Sequence, residues 1–460
     1  MDGVRFKYGY HNVGLRSLFA LEVRKSSSVI QFCKFFDEKQ NKGGTIRNLV
    51  GPPFQPNRSA FVSEAFRISS SSRDGLPAAI DEACSRMEQH YAEGRYSKVT
   101  VLRHWSKHNP TISGKIARPT AYRWYLRREL LKLAQRGAEI EITPSQMRID
   151  LYSPSLLSAI DESNFDQTLK KVFLFGPERV ELSLERLEHY TGTRAEDFQR
   201  YVLLTNYQMH MDAFRQLHPQ AIASARSDVQ MPTLHSRETD NNGMTIVNIG
   251  VGPSNAKNFT DHLAVLRPDA MLMVGHCAGI RNHQEIGDFV LATSYMRDDL
   301  VLDDALPRSV PVTPSFLLNR NLARVLEDRG FPFRMGVVYT TADRNWELVV
   351  SRKMNDLKAS RSIGVDMESA TVAANGFRYR IPSASLLCIS DKPLHGSPKL
   401  PKSANTFYES TKSQHIQIAE EAIQLTRAAY PDGLPTTDLR AMDEPLLGCP
   451  IPNARDESIR

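Results

Sequence analysis

Apolar positions follow two rhythms along this chain. Between about residues 75 and 197 they recur at helical spacing in DEACSRMEQHYAEG and RPTAYRWYLRRELLKLAQRG. Gly94 and Gly137 stand where these helices should stop, and Pro119 suits a first turn. AEIEITPS alternates instead, the period of a half-buried strand. From YVLLTNY to about residue 430 the rhythm changes. MTIVNIG, AMLMVGH, GVVYTT, SIGVDM and ASLLCISD are short aliphatic runs, each ending in Gly, Ser, Asp or a polar cluster, with longer helical stretches between them. Strands alternating with helices predict an α/β fold, a central sheet flanked by helices. The expected organisation is an extension over 1–74, a smaller α+β domain over 75–197, an α/β domain over 198–430 and an irregular tail over 431–460.

Charge adds one fact to this picture. The chain of 460 residues carries a net +6, and the whole excess lies in residues 1–74; the remainder has as many acidic as basic residues. A basic extension is indicated, not a nucleic-acid-binding body. Its KSSS, GPPFQP and RISSSSRDG stretches read as disordered, and it lacks the apolar core of a secretory leader. No run approaches the roughly 18 uncharged apolar residues of a membrane span, so no membrane partner is expected. Five scattered cysteines, an odd number without ligand or disulfide spacing, fit a reducing, cytoplasmic compartment and a role as small buried hydrophobes.

Candidate chemistry gathers where the apolar runs end, the usual ligand position in open α/β sheets. In GVGPSNAKN, Gly252 and Ser254 could serve a tight turn whose amides hold an anion or a ribose hydroxyl. A glycine turn with a serine helix cap explains the same residues. The dinucleotide fingerprint fails, because Asn255 occupies the third glycine position. GHCAGIR contains His276, but no second histidine or carboxylate at helix spacing completes a metal set, so no metal is expected. In TTADRNWEL, Trp346 offers either core filling or a flat face for a purine. CISDKPLHG ends its strand in Ser390 and Asp391; burial should raise the pKa of that aspartate and suit it to general-acid work. In VDMES, Asp366 and Glu368 flank Met367. A carboxylate has two oxygens at the separation of vicinal ribose hydroxyls, and residues two apart on a strand face one way. Two acids at a helix N-terminus are the competing explanation.

At these residues the chain resembles the nucleoside phosphorylase and nucleosidase superfamily, and within it the nucleosidase branch that acts on AMP. VNIGVGPSNAKNFTDHLAVLRPDAMLMVGHCAGIR, TTADRNWEL, VDMESAT and LLCISDKPLHG carry the resemblance, which spans roughly residues 75–430. It implies a phosphorylase/hydrolase-like fold that needs no cofactor, a place in purine salvage, and hydrolysis of AMP to adenine and ribose 5-phosphate. It further implies a homohexamer, with ATP as activator and phosphate as inhibitor acting through the N-terminal domain. By motif, Glu368 matches the glutamate that holds the ribose hydroxyls and Met367 the methionine beneath the sugar. Asp391 matches the acid at purine N7, with Ser390 beside it, and Trp346 lies in the segment against the base. His276 stands where phosphorylases place a phosphate-binding serine, and TNYQMHMDAF lacks their phosphate-binding arginine. Arg344, Lys392, His395 and Arg281 are the cations beside the motifs for the 5′-phosphate, and Asn345 adjoins them. A phosphorylase-type transferase and a non-catalytic nucleotide sensor are the alternatives.

Overall fold

The computed structural model describes residues 65–69, 75–102, 112–161, 171–398 and 401–435, and in them two sheets form. The first contains β1 (Phe66–Ile68), β2 (Arg95–Leu102), β3 (Ile112–Ile116) and β4 (Glu139–Arg148) in the order β1-β4-β2-β3. All its pairings are antiparallel. Helices α1 (Leu76–Ala92) and α2 (Arg123–Gln135) pack against it and bury Ile80, Met87, Leu126 and Leu130. Gly94 and Gly137 follow the two helices with φ of 76° and 89°, the left-handed region that ends a helix cheaply only at glycine. Pro119 opens a short 3-10 turn ahead of α2. Strand β1 lies inside the segment expected to be a disordered extension, so that expectation is corrected at its end: Phe66–Ile68 pairs with Ile140–Ile142. The rest of that segment, and most of the irregular tail, lie outside the described residues.

The second sheet follows helix α3 (Pro177–Thr191). It contains β5 (Tyr201–Thr205), β6 (Ile222–Ala223), β7 (Thr233–Ser236), β8 (Met244–Asn248), β9 (Ala270–Gly279), β10 (Phe289–Asp298), β11 (Phe333–Thr341), β12 (Gly364–Asp366) and β13 (Ser383–Asp391). Their order is β12-β11-β10-β13-β9-β5-β8-β7-β6, and β12 also pairs with β9. Five strands therefore close on themselves, and β5 to β8 extend the wall from β9. The directions are mixed: β9 runs parallel to β13 and β5 but antiparallel to β12, and β10 runs antiparallel to β13. Strand β10 is FVLATSYMRD, which the run of short aliphatic segments does not single out.

Burial on both faces explains the nearly continuous apolar strands. Met271 and Met273 of β9 join Val202 and Leu204 of β5 in a core that continues into Val99, Ile142 and Leu130 beneath the first sheet. Leu272 and Val274 face the opposite core with Ile416, Ala419 and Ile423 of the long helix Pro401–Ala429. The antiparallel layer and the larger sheet thus share one hydrophobic core. Cys84 and Cys388 are free thiols buried within these two cores, and Cys277 is a free thiol buried in a third cluster with Val290 and Val338. Among the described residues no helix is long and apolar enough to cross a membrane.

Candidate active site

Closure of the barrel draws six chain segments to one end of the sheet. There a cavity of about 200 Å³ is lined by Asp366, Met367 and Glu368 after β12, and by Ser390 and Asp391 at the end of β13. His276 and Cys277 of β9 complete one side; Arg344 and Trp346, after β11, form another. The carboxyl-end rule accounts for the ends of β5, β8, β9 and β13, which run the same way. It does not account for β12, whose short antiparallel pairing with β9 sets Val365 opposite Ala278 and so brings in the acidic pair.

Asp366 and Glu368 share this wall but differ in what they hold. Asp366 accepts the backbone N–H of Ser369 at 2.8 Å and of Glu368 at 3.4 Å, plus the Thr340 hydroxyl. It thereby caps the helix Ser369–Tyr379 and satisfies donors that a helix start leaves over. Glu368 reaches across to the turn after β8 and accepts the Gly252 N–H at 2.6 Å. Gly252 sits at φ 105°, a conformation side-chain-bearing residues rarely adopt, which points its N–H at the carboxylate. Burial raises the pKa of both acids, and the charge of Asp366 raises Glu368 further.

At Asp391 the strand is irregular. Ile389 pairs with Cys277 and Asp391 with Ala278, so Ser390 is an extra residue, a bulge that bends the strand and re-aims the Asp391 side chain. The Ser390 hydroxyl donates to Asp391 Oδ1, and both residues are buried. Trp346 is buried among Ala278, Tyr339, Leu357 and Val365, so its ring fills core and lines the cavity at once.

Other sequence-selected residues stand elsewhere. Ser254 is exposed on the helix Pro253–Leu263, and Asn345 is exposed with its N–H on Asp343 Oδ1 at 2.9 Å. Lys392 is buried, its Nζ donating to the Asn282 carbonyl at 3.0 Å and to that of Gln284. His395 Nε2 lies 3.3 Å from the Ile280 carbonyl. Of the four cations considered for a phosphate, Arg344 lines the cavity and Lys392, His395 and Arg281 do not. Asn206 and Tyr207, directly after β5, line it and were not selected by sequence. Their signal was positional only: a polar pair at the end of YVLLT. His276, which has no second histidine at helix spacing in the sequence, has two beside it in the fold. His210 and His415, both fully buried, lie with ring centroids 5.5 Å and 4.8 Å from it.

Known proteins match this chain by family model and by sequence. Residues 224–429 match the family model of the phosphorylase superfamily. An AMP nucleosidase of Escherichia coli (strain K12) is 41% identical, over 74% of this chain and 83% of its own. A guanosine phosphorylase of Halorubrum lacusprofundi is 21% identical over 41% of this chain and 75% of its own. A crystal structure of AMP nucleosidase from Bacteroides thetaiotaomicron superposes with a TM-score of 0.47 at 28% identity, covering 55% of this chain and 99% of that one.

Proposed function

The chain belongs to the AMP nucleosidase family within the phosphorylase superfamily and is a glycosidic-bond hydrolase; from that premise we propose that it cleaves AMP by general-acid protonation of the purine at N7. The observation that carries this mechanism is the placement of Asp391 and Glu368 in the wall of one cavity. Breaking the bond between ribose C1′ and purine N9 builds positive charge on the sugar and negative charge on the leaving adenine. Asp391 gives its proton to N7, and the adenine departs neutral. A positioned acid of this kind contributes roughly 10²–10⁴-fold.

Glu368 takes the opposite part. Its carboxyl accepts the ribose 2′- and 3′-hydroxyls, hydrogen bonds that favour the charged form against the burial that opposes it. The carboxylate so held sets negative charge beside the developing cation, an interaction that strengthens in the transition state. A fixed donor, the Gly252 amide, orients that carboxylate before substrate arrives. Met367 underlies the sugar, Trp346 faces the base, and Arg344 meets the 5′-phosphate. Water then adds to C1′ to give ribose 5-phosphate, and the proton it loses passes through solvent to restore the Asp391 acid. Activation by ATP, inhibition by phosphate, hexameric assembly and a cytoplasmic location belong to the same proposal.

The deciding experiment is incubation with AMP in phosphate-free buffer, with and without ATP, followed by analysis of base and sugar. Adenine and ribose 5-phosphate in equal amounts are expected, with faster release when ATP is present. Cleavage that requires added phosphate would make the protein a phosphorylase, and no cleavage would leave a nucleotide-binding protein.

A further inference from the structure

Behind the cavity wall, three histidines far apart in sequence converge. His210 comes from the helix Gln208–Leu217, His276 from β9 and His415 from the helix Pro401–Ala429. The ring of His210 stacks on that of His276 with 17° between planes, and His415 lies 4.9 Å from His210 by ring centroid. One ligand nitrogen from each ring can be chosen so that all lie within 4.8 Å of one another. His210 and His415 are fully buried and His276 nearly so. His276 alone also lines the substrate cavity.

We propose that His210, His276 and His415 form a binding site for one divalent transition-metal ion of the zinc class. Imidazole nitrogen is the donor such ions favour, and three histidines with one position left to water or an anionic oxygen is a recurring zinc arrangement. Thr205 Oγ1 holds His210 Nδ1 at 2.7 Å, which fixes the ring, and Nε2 meets no hydrogen-bond partner among the described residues. Metal-ligating histidines are oriented through their second nitrogen in this way. Metal–nitrogen bonds of about 2.0–2.1 Å place tetrahedral ligands about 3.3 Å apart. The ligand nitrogens must therefore close in by up to about 1.5 Å when the ion enters. The wall around them is apolar and aromatic: Phe289 lies 5.1 Å from His415 and Tyr207 4.6 Å from His276.

The test uses tag-free full-length protein stripped with a strong chelator and titrated with Co²⁺, then Zn²⁺, in the absence of nucleotide. About one Co²⁺ per chain is expected, with the intense visible absorption of a low-coordinate site that Zn²⁺ abolishes. X-ray absorption at the zinc edge should show imidazole nitrogens at about 2.0–2.1 Å. His210→Gln and His415→Gln, scored where the circular dichroism spectrum is that of the wild type, should lose the site. Thr205→Val should weaken it by roughly 10–100-fold. No uptake by the wild type, a shell of oxygen alone, or unchanged uptake in a folded glutamine variant would overturn the proposal. Because uptake is read without AMP, its failure leaves the glycosidase mechanism standing, and absence of AMP cleavage leaves the metal site standing.

Discussion

Two glutamates are buried almost equally in this protein, Glu181 under the antiparallel layer and Glu368 at the cavity. Burial is the first cause that raises the pKa of each. Their neighbours differ. Glu181 accepts the Tyr91 hydroxyl at 3.1 Å. Arg118, the cation nearby, is committed to Glu188 at 2.6 Å, with Glu196 at 3.5 Å. Glu368 is held by a backbone amide on one side and faces the cavity on the other. Burial alone therefore does not mark a working carboxyl. What distinguishes Glu368 is a backbone donor that fixes its orientation while part of the group stays turned toward open space.

Substitutions put this contrast between the glutamates at risk. The largest effect should come from Asp391→Asn, which keeps the shape and removes the acid: kcat on AMP should fall by about 10²–10⁴-fold with the thermal transition unchanged. Turnover near the wild-type rate would remove Asp391 from the mechanism. Glu368→Gln forfeits two hydrogen bonds from ribose to a charged group, each worth about 1.5–3 kcal/mol. Its kcat/KM should fall by about 10²-fold or more, and an unchanged value would make the two glutamates equivalent. Arg344→Ala should narrow the preference for AMP over adenosine by about 10–10²-fold while sparing adenosine itself, in keeping with one lost charge-assisted contact. Equal losses on both substrates would place the phosphate elsewhere.

Glu181→Gln should be the mildest change, leaving AMP cleavage intact. Its effect is on stability against pH. The folded protein holds the Glu181 proton to about 7, whereas an ordinary glutamate releases it near 4.5. Between those values the folded state binds more protons than the unfolded state, so stability falls as pH rises through this window and levels off above it. Urea midpoints measured at pH 5 and pH 8 should differ less in Glu181→Gln than in the wild type. An identical slope would mean that Glu181 does not titrate as its burial implies.

Much of this site is legible in short stretches. VDMES and CISD mark the acidic groups because a charge where an aliphatic strand ends is costly, and TTADRNWEL places an aromatic beside them. Asn206 and Tyr207 escape such reading, since an uncharged polar pair after a strand is ordinary loop chemistry. Lys392 shows the converse. It adjoins Asp391 in sequence, yet its side chain ends on the Asn282 and Gln284 carbonyls, because sequence neighbours at a bulge need not face one way.

Short-range pattern settles where apolar runs begin and stop, where glycine must turn the backbone, and which acids stand at strand ends. These are local properties, set by side-chain chemistry and backbone sterics over a few residues. Folding of the whole chain settles that β12 pairs with β9, that β10 enters between β11 and β13, and that β1 pairs with β4 across two intervening strands of sequence. Folding likewise brings His210, His276 and His415 together. Strand partners and directions depend on contacts between distant segments competing for the same hydrophobic faces, and no local pattern encodes the outcome of that competition.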